Sequence, residues 1–294
     1  MGGHAAAMSH LLCLGLGYTA RFLAHRLRSE GWRISGSATS LEGAQALVAA
    51  GFDGLVLDGT RPADGVHERL ATATHLLISA PPGADGDPVL AHHSADIAAA
   101  PRLQWIGYLS TIGVYGDRQG AWVDEDTAPA PQSDRSQRRL AAEIQWQALG
   151  RASSKRVRIF RLAGIYGPGR SPIDTLRTGT ARRIVKAGQV FNRIHVADIV
   201  HVLGAALAGA GRHAVYNVAD DEPASAEDVV AYAAELLGLA PPPAIPFKAA
   251  ELSPMAQSFF AESKRVRNNR IKGDLGIRLQ YPTYREGLGA LARA

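Results

Sequence analysis

Short apolar runs alternate with amphipathic stretches over the first 110 residues of the chain. In residues 18–30, for example, Phe22, Leu23 and Leu27 share one face of a helix. Strand, helix and strand repeated in this way predict a parallel sheet with helices on both faces. The predicted strands are residues 10–14, 33–37, 54–57, 75–79 and 103–109, and the predicted helices are residues 18–30, 41–50, 66–73 and 88–99.

The same rhythm continues to residue 162 and then loosens at two Gly/Pro breaks, 167–169 and 241–243. We therefore predict an α/β fold, with a Rossmann-type doubly wound parallel sheet over residues 9–165. A smaller C-terminal substrate lobe is predicted over 166–294, with segments near 194–220 and 284–294 returning to the first domain. The later predicted elements are helices 133–149, 196–208, 225–237 and 284–292, and strands 157–162 and 214–218.

Composition narrows the class of protein. Hydrophobic residues make up 46% and charged residues 20% of the 294 residues, which excludes a disordered chain. The longest weakly polar run, 199–211, is shorter than the ~18 residues of a membrane span, so we predict no membrane partner. The single cysteine, Cys13, excludes an intramolecular disulfide and favours a cytoplasmic location. Residues 1–9 lack the pattern of a signal peptide and are left out of the fold prediction.

The net charge of +5 has two explanations. One is nucleic-acid binding, and the other is an arginine-rich background with a site for anionic ligands. The cationic residues are spread along the chain and no nucleic-acid-binding motif is present, so we predict no nucleic-acid partner. No histidine pair has HExxH spacing, and we predict no metal site. The chain also lacks the GxxxxGK[ST] loop and the GxSxG elbow of two other enzyme classes.

A glycine loop follows the first predicted strand and opens the first helix. In a dinucleotide site, the first glycine allows a tight turn, the second allows close approach of the pyrophosphate, and a third small residue packs helix on strand. The amides at the helix start and the helix dipole then bind the diphosphate. An ordinary tight turn is the alternative. The predicted cofactor-binding residues of this loop are Gly15, Leu16, Gly17, Tyr18 and Thr19, with Ala20 as the small third residue.

The end of the second strand bears on the choice between NAD and NADP. Ser37, Thr39 and Ser40 stand where an acidic residue would bind the ribose of NAD, and no carboxylate precedes Glu42. Hydroxyl groups can donate to a 2′-phosphate, so NADP is favoured over NAD. The alternative is that these residues cap the next helix. Because ligands bind at the carboxyl ends of parallel strands, Ala80 and Pro81 after the fourth strand are also predicted to contact the cofactor.

Further along the chain, four segments resemble landmarks of the extended short-chain dehydrogenase/reductase superfamily, in its NAD-dependent epimerase/dehydratase group. The segments read YLSTIGVYG (108–116), RLAGIYGPG (161–169), RIHVAD (193–198) and YNVADDEPAS (216–225). They occur in the expected order over nearly the whole chain. Within the superfamily, the chain is most similar to atypical members named as nucleoside-diphosphate-sugar epimerases. The resemblance implies hydride exchange with a secondary alcohol or ketone carbon.

The chain departs from this superfamily at its YxxxK pair, in which tyrosine is the general acid/base and lysine lowers its pKa. None of the eight tyrosines has lysine four residues on. Alignment on the helix 133–143 places Arg135 at the tyrosine position and Arg139 at the lysine position. Arginine stays protonated and cannot act as the proton shuttle. Arg139 could still donate to the nicotinamide ribose, as the lysine of the family does.

The resemblance implies three catalytic candidates. Thr111 stands at the serine/threonine position of the family, although it could equally be a polar residue that ends a strand. If the protein carries out acid/base chemistry, Tyr115 or Tyr166 replaces the missing tyrosine. Asp58 matches a position that contacts adenine, with a turn aspartate as the alternative, and Gly164 lies in the motif near the nicotinamide.

Several arginines lie in the predicted substrate lobe, and Arg170 and Arg193 are the predicted substrate-binding residues. Arginine forks suit phosphate oxygens, so they favour an anionic small molecule such as a nucleotide-sugar. A solvated basic face is the alternative. The resemblance also implies a homodimer through the helix that carries Arg135 and Arg139.

The sequence thus predicts an NAD(P)-dependent oxidoreductase or epimerase. The alternative belongs to another class, a catalytically silent protein that senses the dinucleotide and regulates a partner. The retained Thr111 and Tyr115 favour the enzyme, and the loss of both YxxxK positions favours the sensor.

Overall fold

The computed structural model describes residues 9–294. The N-terminal arm that was left out of the fold prediction lies outside this range, apart from Ser9. The strands are β1 (His10–Leu14), β2 (Arg33–Ala38), β3 (Asp53–Val56), β4 (His75–Ile78), β5 (Trp105–Thr111), β6 (Trp122–Val123), β7 (Arg156–Leu162), β8 (Gly164–Tyr166), β9 (Arg183–Val185), β10 (Arg193–His195), β11 (Val215–Val218), β12 (Ala244–Pro246) and β13 (Arg265–Val266).

Helices connect most of these strands. They are α1 (Tyr18–Ser29), α2 (Leu41–Ala49), α3 (Val66–Leu70), α4 (Pro88–Ala99), α5 (Asp134–Ser153), α6 (Pro172–Arg177), α7 (Val196–Leu207), α8 (Ala226–Leu236), α9 (Pro254–Phe260), α10 (Asn269–Gly273) and α11 (Tyr284–Arg293). Two short 3-10 turns cover Ile112–Tyr115 and Phe247–Ala249.

The main sheet has seven parallel strands within the described residues, in the order β11-β7-β5-β4-β1-β2-β3. β1 lies between β2 and β4, with Cys13 level with Gly36 on one side and with Leu77 on the other. The chain therefore winds outwards in both directions from β1, which is the order of a doubly wound sheet. The predicted Rossmann-type fold is confirmed.

The long elements follow the predicted pattern closely. β1 spans the predicted residues, and α4 has the predicted bounds. The largest difference is α5, which was predicted to end at Leu149 and continues to Ser153. The two- and three-residue strands and the helices α6, α9 and α10 were not predicted, because such short segments carry too little periodicity to read.

By its contacts the chain divides into two units. The first runs up to Ser110 and also includes Gln137–Phe160 and His213–Val215. Its core is made by strand residues such as Leu12, Leu76 and Ile106, none of which exposes any surface. Side chains of this kind, fully removed from water, each stabilise the fold by about 1.5–3 kcal/mol.

The second unit comprises Thr111–Ser136, Arg161–Arg212 and Tyr216–Ala294. It contains three two-stranded parallel pairs, β8 with β10, β9 with β12, and β6 with β13. One of its cores joins α6, α8 and α11 through Ile173, Val229 and Leu288. The predicted domain boundary near residue 165 stays a prediction.

Asp87 connects two helices of the first unit. As the N-cap of α4, its Oδ1 accepts hydrogen bonds from the backbone N–H groups of Val89 (2.9 Å) and Leu90 (3.1 Å). Its Oδ2 accepts a hydrogen bond from Nε1 of Trp146 on α5 (2.9 Å). Asp87 and Trp146 are both buried, so neither group has water as a substitute partner.

We expect Asp87→Ala to lower the free energy of unfolding by about 2–4 kcal/mol, because the cap is lost and the buried Trp146 N–H loses its acceptor. Urea denaturation monitored by tryptophan fluorescence measures this loss. Asp85→Ala is the matched control, since Asp85 is exposed and should change stability by less than about 0.5 kcal/mol. Equal losses in the two variants would contradict the linking role of Asp87.

Candidate functional site

The glycine loop makes a very close contact between main chains. Gly15 has φ +94°, and a β-carbon built on it would lie 2.5 Å from the backbone nitrogen of Ala80. Both the left-handed conformation and the lack of space require glycine here. The loop therefore passes directly against the end of β4, where Ala80 N donates to Leu14 O (3.0 Å).

Ser37 at the end of β2 holds the loop in place. Its hydroxyl accepts a hydrogen bond from Gly15 N (2.8 Å), and its carbonyl oxygen accepts one from Leu16 N (2.8 Å). The side chain of Ser37 is buried, with 1% of its surface exposed. The structure thus places the predicted cofactor residue Ser37 beneath the loop, where it fixes the position of Gly15.

The second glycine of the loop has a different environment. A β-carbon on Gly17 would meet no atom within 4 Å, and the residue is exposed. Gly17 is the N-cap of α1, with no side-chain cap and no acidic residue in the first turn. Thr19 and Ala20 are buried beneath it. An uncapped helix start next to open space is a favourable position for an anionic group.

The residues after β2 and β3 have local partners. Ser40 caps α2 by accepting from Gly43 N (3.1 Å), while Thr39 is exposed. The exposed Asp58 accepts hydrogen bonds from the backbone N–H (2.8 Å) and the hydroxyl (2.9 Å) of Thr60, and these bonds lower the pKa of its carboxyl. The contacts of Asp58 and Ser40 are those of a turn residue and a helix cap, the two alternatives that the sequence left open.

A stripe of three side chains on α5, one or two turns apart, contacts the interior of the first unit. Nη1 of Arg139 donates to the hydroxyl of Tyr108 (3.1 Å) and to Leu109 O (2.9 Å), both in β5. One turn on, Glu143 accepts a hydrogen bond from the hydroxyl of Ser110, and Trp146 follows with its bond to Asp87. Arg139 therefore supports β5.

In the second unit, Thr111 starts the first 3-10 turn and Tyr115 ends it. The hydroxyl of Thr111 accepts from Gly113 N (3.1 Å), and its side chain is half-buried. Tyr115 is fully buried, where its hydroxyl donates to Asn217 Oδ1 (2.8 Å) and accepts from Nη1 of Arg161 (2.9 Å). Burial raises the pKa of Tyr115, and the Arg161 charge opposes this rise. Tyr115 thereby connects the turn to two strand ends.

Tyr166 lies at the end of β8, opposite His195 of β10. The two rings meet edge to face, with centroids 5.1 Å apart. The hydroxyl of Tyr166 makes one long hydrogen bond, to Thr283 O (3.4 Å), and burial raises its pKa. Gly164, at the start of β8, is exposed and donates to Asn192 O (3.0 Å).

The two arginines predicted to bind substrate have different surroundings. Arg193 is committed to protein carbonyls, since its guanidinium donates to Phe191 O (3.1 Å), Ala224 O (3.0 Å) and Ser225 O (3.3 Å). Arg170 is exposed. Arg135 is also exposed, with its guanidinium 4.6 Å from the ring centroid of Phe259.

Comparison with known proteins gives relatives over the full length. Protein YeeZ of Escherichia coli strain K12 is 29% identical over 285 residues, which cover 94% of this chain and 97% of YeeZ. A solved structure of a functionally unknown conserved protein from Silicibacter pomeroyi DSS is 51% identical, with a TM-score of 0.87 over 97% of this chain and 99% of that one. No protein-family model matches the chain.

Two further solved structures bear on the family. One, from Methylobacillus flagellatus, is provisionally named an NAD-dependent epimerase/dehydratase and is 27% identical, with a TM-score of 0.69 over 98% of both chains. This chain is thus similar to solved structures of the epimerase/dehydratase-like group of the short-chain dehydrogenase/reductase superfamily. UDP-glucuronic acid 4-epimerase from Bacillus cereus, in complex with NAD, is 17% identical, with a TM-score of 0.73 over 96% of both chains, and shares the fold.

Among residues 9–294, no helix has the length and apolar character needed to cross a bilayer. Over the same residues, no group of three or more His, Cys, Asp or Glu side chains is arranged to hold a metal ion.

Two buried polar groups were not singled out from the sequence. Nδ1 of His195 accepts from Ala197 N (3.2 Å), so the ring proton lies on Nε2, and burial lowers the pKa of His195 to about 4. Asp220 is 2% exposed, and within the described part of the chain neither of its carboxylate oxygens accepts a hydrogen bond of good geometry, although the backbone N–H of Glu222 is near enough to lower its pKa. Burial raises the pKa of Asp220 well above its usual value, against the field of Arg193.

We expect the stability difference between Asp220→Asn and the unmodified protein to grow as the pH rises from about 4 to 7. Because its pKa is raised on folding, Asp220 favours the folded state when protonated and loses that contribution as the pH rises above the unfolded pKa of about 4. The variant, which resembles the protonated acid, should be about 1–3 kcal/mol more stable at pH 7. Denaturant titrations at several pH values measure the difference.

Asp221→Asn is the control for this experiment, since Asp221 is exposed and pairs with Lys272 at the surface. It should change stability by less than about 1 kcal/mol at either pH. A stability difference for Asp220→Asn that stays constant with pH would show that Asp220 is ionised in the folded protein.

Proposed function

We propose that this chain binds a nicotinamide dinucleotide at residues 15–19 and exchanges a hydride with a secondary alcohol or ketone carbon of a nucleotide-sugar. The observation that carries the proposal is the contrast between the two loop glycines. At position 15, glycine is needed because any side chain would clash with the backbone of Ala80. At position 17, a side chain would meet no atom of the protein, so Gly17 leaves open space at an uncapped helix start. A pyrophosphate at this position would use that space and the amides of the first helical turn.

The other cofactor contacts are assigned at the strand ends. We assign the adenosine ribose to Thr39 and Ser40 and the adenine to Asp58, all three of which are exposed. The path of the cofactor is assigned to the buried Ala80 and the exposed Pro81. Arg139 uses Nη1 for Tyr108 and Leu109, so a bond to the nicotinamide ribose falls to its other N–H groups. Gly164, which has no side chain and is exposed, suits close approach of the nicotinamide.

The choice between NAD and NADP rests on two opposing facts. The B. cereus epimerase that shares the fold was solved with NAD. The stretch from Ser37 to Ser40 has no carboxylate, which favours NADP. We therefore propose NAD or NADP as cofactor, and the sequence-based preference for NADP stays a prediction.

The bound cofactor would supply the hydride donor or acceptor. In this proposal the Thr111 hydroxyl forms a hydrogen bond with the substrate oxygen. Tyr166 fits a proton-donating role better than Tyr115, because it makes one long hydrogen bond whereas Tyr115 makes two of ordinary length. Burial raises the pKa of Tyr166, so in this proposal a charged group of the cofactor or substrate would have to lower it for proton transfer. Arg170, which is exposed, is the better candidate for an anionic group of the substrate.

We expect Gly17→Ala to weaken dinucleotide binding at least tenfold while changing stability by about 1 kcal/mol or less. The added methyl group enters space that is open in the protein but is needed for the pyrophosphate. Isothermal titration with NAD and with NADPH measures the affinity and also decides the preference between them. Gly273→Ala is the matched control, because its new methyl group also meets no atom within 4 Å. Equal affinity in the two variants would remove the loop from the cofactor site.

Turnover is expected with at least one member of a panel of UDP-sugars when NAD or NADPH is supplied, monitored by absorbance of the reduced cofactor and by chromatography of the sugar. Thr111→Val should lower kcat/KM about 10- to 100-fold through the lost hydrogen bond to substrate. Thr175→Val, at an exposed position on α6, should have no effect. Tight cofactor binding without turnover on the whole panel would favour the regulatory alternative.

A further inference from the structure

A separate cavity lies within the second unit, between α8, the segment 222–225 and the start of α11. Its volume of about 780 Å³ is in the range of small-molecule sites. None of the residues predicted to bind cofactor or substrate lines this cavity. Its occupant therefore has to be identified from the lining of the cavity alone.

The wall of this cavity already binds one cation of the protein itself. The rings of Tyr232 and Tyr284 meet at 86° with centroids 5.8 Å apart, and the Arg285 guanidinium carbon lies 4.9 Å from both centroids. Nη2 of Arg285 pairs with Glu222 at 3.2 Å. Aromatic faces combined with a carboxylate are a favourable environment for a guanidinium or an ammonium group.

The charge that remains after this pairing is negative. Asp228 and Glu235 also line the cavity, both are exposed, and neither forms an ion pair within residues 9–294. Asp228 and Glu235 are seven residues apart on α8, so they lie on one face at a spacing of about 10 Å along the helix. Tyr232 lies between them on that face, one turn from Asp228. The cavity is thus locally acidic in a chain whose net charge is +5.

We propose that this cavity binds a linear polyamine, with one ammonium group at Asp228 and another at Glu235. The separation of the carboxylates requires cationic groups about 10 Å apart. The methylene chain between them would lie over Tyr232 and the apolar side chain of Leu239, which is 47% exposed. The same carboxylates disfavour phosphates and sugar acids, because like charges repel. The proposal is independent of the dinucleotide site.

Isothermal titration of the full chain with spermidine at low salt tests the proposal. We expect saturable binding that weakens with added salt, and weaker binding of putrescine, whose amines are too close together to reach both carboxylates. The double variant Asp228→Asn, Glu235→Gln should lower the spermidine affinity at least tenfold. Both side chains are exposed, so the variant should fold, which its circular dichroism and melting temperature verify.

Glu227→Gln is the matched control, since Glu227 lies on the same helix but does not line the cavity. It should leave spermidine affinity within about twofold. Three results would each overturn the proposal. They are the absence of saturable binding, equal spermidine affinity in the double variant and the control, and equal affinity for spermidine and for butylamine, which has only one amine. NAD titration of the double variant keeps the two sites distinct, because its dinucleotide affinity should be unchanged.

Discussion

The first unit depends on one place where two stretches of main chain pass closer than any side chain would allow. Gly15 turns against the backbone of Ala80, and Ser37 holds it there with its hydroxyl and its carbonyl oxygen. This contact joins the ends of β1, β2 and β4 at the centre of the sheet. Because the turn is fixed in this way, α1 starts with its first amides next to open space, and an anion could bind there without rearranging the protein.

Most of the fold could be predicted from the sequence because its long elements have clear periodicity. A fully buried strand such as β1 reads as an apolar run, and the buried face of α1 repeats at helical spacing. The three-residue strands β8 and β10 contain no full period, and they form only because they pair with each other. The last turn of α5, Gly150–Ser153, is polar and contains glycine, so local sequence gives no reason for the helix to continue there.

The candidate site could be predicted only in part. Spacing alone identified the loop glycines, since their roles depend on local backbone geometry. The direction of the Ser37 hydroxyl, towards Gly15 N, depends on the pairing of β1 with β2 and has no local signal. Asp220 lies in a segment that the sequence analysis quoted, yet its burial without a hydrogen bond of good geometry follows from tertiary packing. Sequence patterns depend on residues that are neighbours along the chain, whereas the burial of a side chain and its hydrogen-bond partners depend on residues that are distant in the sequence.

The first unit is built from three separate segments of the chain, which has a consequence for its synthesis on the ribosome. The outer neighbour of β7 is β11, and just before β11 begins, Ile159 N donates to Ala214 O at 2.8 Å. The pair Arg158 and His213, which also forms a hydrogen bond, is separated by 55 positions. A nascent chain that has emerged only as far as Phe160 would therefore present β7 as an open sheet edge, which can pair with another chain. The unit closes this edge only after a further 55 residues, up to Val215, have been translated.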